Sequence, residues 1–146
     1  MKVRIQEQES VKQVEVVILC REQSALVNRL AKRIEQIAFY IIARNGDRTE
    51  QLSLEEIYYF ESVENRTYIY CKEKVYNCDM RLYELEEKLK GTAFQRISKS
   101  GILNLDKMKS VKGQINGRLM VFLDNNEKII VNRSYVLKVR EHIQSL

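Results

Sequence analysis

The sequence predicts an α+β fold rich in β-structure, built of small antiparallel sheets with short helices and preceded by a small strand-strand-helix element. Three observations predict it. Short β-branched and aromatic runs recur along the chain, as strands require. Asn45-Gly46 and Asn116-Gly117 stand between such runs, and Asn-Gly accepts the positive φ angles of a tight hairpin turn. Only three stretches place apolar residues at helical spacing.

Val3 and Ile5 suggest a short first strand, and Val14-Glu15-Val16-Val17-Ile18-Leu19-Cys20 predicts a second, well-buried one. Over residues 22–37, Leu26, Leu30, Ile34 and Ile37 share one helical face, with Arg29, Lys32, Arg33 and Gln36 elsewhere on the wheel. That stripe is expected to pack on the two preceding strands, a dimer seam being the alternative. Residues 38–44 and 49–52 read as a hairpin about Asn45-Gly46-Asp47. Residues 57–60 and 67–71 are aromatic strands separated by a polar loop at 61–66, and 72–74 turn into Val75-Tyr76. Leu82, Leu85 and Leu89 mark a helix over 81–90 that Gly91 closes. Residues 94–97 and 102–105 are short and apolar. A hairpin follows over 109–116 and 118–123, and 124–127 turn into a strand at 128–131. Asn132 is the expected N-cap of a final helix with Tyr135, Val136, Val139 and Ile143 on its apolar side.

At 146 residues and 45% hydrophobic content, the chain can bury one core, or one core and a small appendage. The net charge of +5 is unevenly spread: residues 94–146 carry ten basic and four acidic side chains, residues 41–93 eight and eleven. The C-terminal third is therefore more positive than the whole. That suits a polyanionic partner, and equally a solvated basic surface. No run approaches the ~18 apolar residues of a membrane span, and no apolar signal core follows the N-terminus. The expectation is a cytoplasmic protein. Cys20, Cys71 and Cys78 lie in strand-like or apolar stretches without C-x-x-C spacing, so reduced and mostly buried thiols are expected, not a zinc site.

Nothing in the residues asks for a catalytic centre or a cofactor. His142 has no acidic partner at a telling spacing, and Ser98 and Ser100 lack a G-x-S-x-G setting. No Gly-rich loop with a following Lys-Ser/Thr is present. The expectation is a protein that is not an enzyme.

DNA recognition finds more material. In Phe94-Gln95-Arg96-Ile97-Ser98-Lys99-Ser100, the apolar residues should fix a strand while Ser98, Lys99 and Ser100 emerge in a loop. Lys99 can pair with phosphate or guanine, and the serines can bond phosphate oxygens or base edges. Arg96 is expected as a structural or phosphate contact. Arg133, flanked by Asn132 and Ser134 at a predicted helix start, has the bidentate fork suited to guanine and free backbone N–H groups nearby. Exposed loop and cap residues would account for Lys99 and Arg133 equally well. Asn104 should hold a loop by its side-chain amide.

These residues resemble the LytTR family of bacterial DNA-binding domains. The family's apolar-x-Arg-x-His-x-Ser core with a following Asn is matched by Phe94-x-Arg96-Ile97-Ser98-Lys99-Ser100 through Asn104. Its closing strand, Arg-x-Tyr-like element and helix are matched by Val131-Asn132-Arg133-Ser134-Tyr135, and an upstream strand by Ile57-Tyr58-Tyr59-Phe60-Glu61-Ser62. The match covers roughly residues 38–146. It implies a LytTR-like fold, elongated and β-rich, whose loops enter successive major grooves of double-stranded DNA, usually at direct repeats. Carried over by position, Lys99 and Arg133 are the base-reading candidates, with a further contact near Arg66 or Thr67. Ser98, where many members have His, and Gly101, where they have a bulkier residue, bear on base preference but not on the mode of binding.

Only about 37 residues precede the domain, fewer than the ~100–150 of an independent one, so a receiver domain is not expected. The stand-alone type of regulator that this resembles is often encoded beside a membrane protein thought to restrain it. Residues 1–37 would then serve dimerisation, giving a homodimer, or dock such a partner, and 38–146 would bind DNA. The expected function is a sequence-specific transcription regulator. The alternative is a non-enzymatic interaction module using the N-terminal amphipathic helix. RNA binding, which wants exposed aromatics for stacking, ranks last.

Overall fold

The computed structural model describes residues 1–37 and 39–146; Ala38, the expected start of the first hairpin strand, lies outside the described residues. Helix α1 (Ala25–Ile37) precedes five strands: β1 (Tyr40–Asn45), β2 (Arg48–Ser53), β3 (Ile57–Val63), β4 (Arg66–Cys71) and β5 (Val75–Cys78). Helix α2 (Leu82–Lys88) leads to β6 (Phe94–Ser98) and β7 (Gly101–Asn104), then β8 (Met108–Gly113), β9 (Leu119–Leu123), β10 (Lys128–Val131) and helix α3 (Val136–Ser145). Short 3-10 turns occupy Leu54–Glu56, Leu105–Lys107 and Arg133–Tyr135.

Local chemistry explains most of these boundaries. The Ser24 hydroxyl accepts the Val27 N–H at 3.3 Å and starts α1. Gly46 at φ 63° closes the β1–β2 hairpin, whose register runs from Tyr40 opposite Ser53 to Asn45 opposite Arg48. The Glu84 carboxylate accepts the Arg81 N–H at 3.1 Å at the start of α2, and Gly91 at φ 79° follows its end.

All strand pairs are antiparallel. Seven strands form one sheet in the order β2-β1-β5-β4-β3-β7-β6, and three form a second in the order β10-β9-β8. The β-rich α+β architecture is thus the one expected, although the larger sheet is wider than "small sheets" implies. Ile41, Phe60, Ile69, Leu85 and Ile102 belong to the core that includes α2. Tyr58, Ile97, Leu103, Leu119, Val121 and Val139 form the core between the β3–β7–β6 side of the large sheet, the small sheet and α3. Tyr58 also donates to Asp124 at 2.5 Å and Tyr59 to Glu127 at 3.0 Å, tying the first sheet to the β9–β10 turn.

Several expectations need correction. Residues 61–66 are not a polar loop: Glu61 and Ser62 pair with Tyr68 and Thr67, and only Glu64 (φ 50°) and Asn65 (φ 65°) turn. Such a two-residue turn with both φ positive matches the twist of its strands, so pairing continues up to it. Strand β8 stops at Gly113 instead of running to 116, because Gln114 and Arg118 close the turn by a backbone bond of 2.9 Å. Asn132 caps the 3-10 turn, its Oδ1 accepting the Ser134 N–H at 3.2 Å, and α3 begins only at Val136.

The largest difference concerns the N-terminus. Neither 3–5 nor 14–20 forms a strand, and the run expected to be well buried is exposed, Val14 and Leu19 each at 92%. A strand needs a neighbouring backbone, and no strand of either sheet takes these residues as a partner. Cys20 is therefore exposed, while Cys71 is half-buried and Cys78 buried, all three as free thiols. Helix α1 does not rest on strands of its own either. Its Arg33 pairs with Asp106, Gln36 donates to the Gly91 carbonyl at 3.1 Å and Arg29 to that of Leu146 at 3.1 Å.

Candidate nucleic-acid interface

Registers and turn contacts bring the two segments of interest to one end of the molecule. The β6–β7 turn consists of Lys99 and Ser100, and Gly101 lies opposite Glu61 of β3. The Ser62 N–H donates to the Ser100 carbonyl at 2.9 Å, so this turn sits beside the Glu64-Asn65 turn of β3–β4. The Asn132 N–H donates to the Ile97 carbonyl at 2.8 Å, which fixes Arg133 and Ser134 next to the end of β6. The stem of Arg133 in turn lies on the β8–β9 turn, where a Cβ built on Gly117 would approach its Cδ to 2.8 Å.

Within this cluster Lys99, Arg133, Arg66, Ser100, Asn132 and Ser134 are exposed and Ser98 is half-buried. Among the described residues, Lys99, Arg133 and Arg66 make no ion pair. Their charges are free to meet phosphate or a base edge. Thr67 differs: it is 5% exposed and faces inward opposite Ser62 and Cys78, leaving Arg66 as the outward group of that turn.

Arg96 has a different task from its neighbours. Its Nε donates to the Ser98 carbonyl at 2.7 Å, its Nη2 to the Lys99 carbonyl at 2.6 Å, and its Nη1 meets Glu86 of α2 at 3.1 Å. The guanidinium fork clamps the turn backbone and points Lys99 outward. Ser98 Oγ accepts the Ser100 N–H at 3.1 Å, tightening the same turn. Gly101 adjoins it: a Cβ there would lie 3.2 Å from Ser98 Oγ and 3.3 Å from Ile97 Cγ1, so the two departures from the family pattern touch each other.

Sequence reasoning missed three members of this end. Arg118 and Ile115 are exposed on the β8–β9 turn, and Ile115 is fully open to solvent. Arg81 donates to the Asn65 carbonyl at 3.3 Å and adds positive charge beside the β3–β4 turn. No motif announced them, because each reaches the cluster only through strand pairing. Asn104 does what was expected of it: its amide donates to the Ile57 carbonyl at 2.8 Å and its oxygen accepts the Asp106 N–H at 3.0 Å. Among the described residues no group of His, Cys, Asp and Glu is placed to hold a metal, and no helix is long and apolar enough to cross a membrane.

A β-rich α+β body thus presents short, basic, backbone-locked turns at one end, an arrangement suited to a polyanionic partner. The family model of the LytTr DNA-binding domain matches residues 47–144, and the chain belongs to this family of DNA-binding domains. It is 33% identical over 97 residues to the sensory transduction protein LytT of Enterococcus faecalis, covering 66% of this chain and 40% of that protein. The chain thus spans well under half the length of that relative. A solved LytTr DNA-binding domain from Bacillus cereus superposes with a TM-score of 0.67 at 22% identity, over 71% of this chain and 95% of that one. At that identity the likeness bears on the fold alone. The family is defined by DNA binding and not by a catalytic step.

Proposed function

We propose that this chain regulates transcription in the cytoplasm by reading duplex DNA sequence-specifically, with Lys99 and Arg133 entering successive major grooves at direct repeats. Arg66 contacts the adjoining stretch. Ser98, Ser100, Asn132 and Ser134 bond phosphates or base edges beside them, and Arg96 acts through the turn it holds. Residues 38–146 are the DNA-binding unit, and residues 1–37 serve association with a second copy or a partner. The observation that supports this reading best is the convergence of Arg66, Lys99 and Arg133, unpaired with any acid among the described residues, on turns fixed by backbone bonds.

Fluorescence anisotropy tests it, using the DNA upstream of the protein's own gene, duplexes selected from random DNA, and a scrambled duplex. Binding to the selected site should be clearly tighter than to the scrambled one and should weaken steeply with salt. Lys99→Ala and Arg133→Ala should each cost ~1–3 kcal/mol on the selected site and flatten the preference. Full discrimination by both variants would remove these residues from the base-reading role. Failure of selection would favour the rival interaction module, whose working surface is α1.

A further inference from the structure

The β8–β9 turn displays an apolar side chain that neither core takes up. Ile115 is fully exposed, and among the described residues after 37 it is the most exposed large apolar residue, ahead of Tyr83 at 72%. The turn does not ask for it. Gly117 supplies the positive φ of 81°, and Asn116 bonds its own backbone, its Oδ1 accepting the Arg118 N–H at 3.2 Å. Position 115 is the remaining corner, where polar residues, glycine and proline predominate and a β-branched apolar side chain brings no local advantage.

Its display is rigid. The Gln114 N–H donates to the Arg118 carbonyl at 2.9 Å and the Gly117 N–H to the Gln114 carbonyl at 3.1 Å, so with the Asn116 bond the tip is held from both sides. A group presented in this way has little freedom left to lose when it meets a partner. The surroundings name the kind of partner. Two residues on, Gly117 lies under the stem of Arg133, a Cβ built on it coming within 2.8 Å of Arg133 Cδ. Arg118 is exposed on the same turn, and Arg140 Nη2 lies 3.6 Å from a Cβ built on Gly113 at its base. Among the described residues none of these three arginines pairs with an acid. An apolar protein surface would bury those charges without compensation. Duplex DNA offers them phosphates, and its major groove holds one apolar group among the polar base edges, the C5-methyl of thymine.

We infer, resting on the DNA reading proposed above, that Ile115 packs on a thymine methyl group in the major groove, beside the base that Arg133 contacts. The β8–β9 turn thereby joins those that carry Arg66, Lys99 and Arg133, with a contact of different chemistry. Cationic side chains read acceptor atoms through charge-assisted bonds. Ile115 reads a group that has no hydrogen-bonding capacity, and selects T·A pairs by apolar contact.

Uracil carries every hydrogen-bonding group of thymine and lacks only the methyl, so it isolates this contact. On a duplex selected from random DNA by the wild-type chain, each thymine is replaced in turn by uracil and affinity is read by fluorescence anisotropy. Replacement next to the base at which Arg133→Ala loses its preference should weaken wild-type binding about fourfold, the contribution of one buried methyl-sized group. Ile115→Ala should bind the thymine duplex no better than the wild-type chain binds the uracil one, and should no longer distinguish the two. Its melting temperature should be unchanged, since Ile115 contributes to neither core. Wild-type binding that ignores uracil at every position, Ile115→Ala binding equal to wild type, or an Ile115→Ala loss that is as large on scrambled DNA would each overturn the role of Ile115 and leave the DNA reading standing. A wild-type chain that selects no site from random DNA would overturn both.

Discussion

Arg96 and Asn104 illustrate how little of a residue's role is visible in its type. Arg96 lies among residues suited to phosphate, yet its fork is spent on the Ser98 and Lys99 carbonyls and on Glu86. Arg96→Lys should therefore act as a positioning change: one ammonium cannot hold two carbonyls and a carboxylate together. Affinity for specific DNA should fall along with about 1–3 kcal/mol of stability, read by anisotropy and urea unfolding. Lost affinity without lost stability would make Arg96 a direct contact instead. Asn104, at 2% exposure, satisfies the Ile57 carbonyl and the Asp106 N–H at once. Asn104→Leu keeps the branched shape and orphans both groups, so urea unfolding should register a loss of at least about 2 kcal/mol. The sequence pattern alone identified Asn104's task, since an Asn between two leucines has little else to bond. The clamp at Arg96 was only half legible, because its partners are main-chain oxygens created by the turn.

Among the elements, the β8–β9 turn is a support for Arg133. Gly117 sits at φ 81°, and a Cβ there would come within 2.8 Å of Arg133 Cδ. Gly117→Ala should cost about 1 kcal/mol through backbone strain and should also displace Arg133. Specific binding should then fall toward that of Arg133→Ala, while binding to scrambled DNA changes little; paired anisotropy titrations of the two variants check this. Asn116-Gly117 was readable as a turn from its dipeptide, but its service to Arg133 was not, because the two are brought together only by sheet pairing. The N-terminal run failed in the opposite direction. Its β-branched pattern is as strong as that of any strand in the chain, and it still does not pair. Propensity describes a preference, and the ladder bonds must come from somewhere else.

At the scale of the molecule, the two ends of the sheets differ in chemistry. One end carries the basic turns. The other carries α1 and the half-buried His142, whose Nδ1 lies 3.2 Å from Gln95 Oε1. Burial pushes the His142 pKa below its usual 6.5; the Lys32 charge adds to the effect, and the Thr92 backbone and Asp106 oppose it. A lowered histidine value means that the unfolded chain takes up a proton before the folded one does. Stability should therefore be full above about pH 6.5 and decline as the pH falls toward the folded-state value. Urea midpoints at several pH values check this, and His142→Asn should flatten the acid side. The difference between the two proteins carries the result.

Composition, dipeptides and periodicity were enough for the β-rich class, most of the hairpins, the bounds of the second helix to within two residues, and the segments that hold Lys99 and Arg133. These follow from local chemistry: turn residues accept particular φ angles, caps satisfy nearby N–H groups, and alternation marks the buried side of a strand. Strand order, the meeting of four turns at one end, the inward rotation of Thr67 and the unpaired state of residues 14–20 came only with the assembled chain. Each depends on which backbone supplies the hydrogen-bonding partner of another, and that choice is made by the assembled sheets and not by the local sequence.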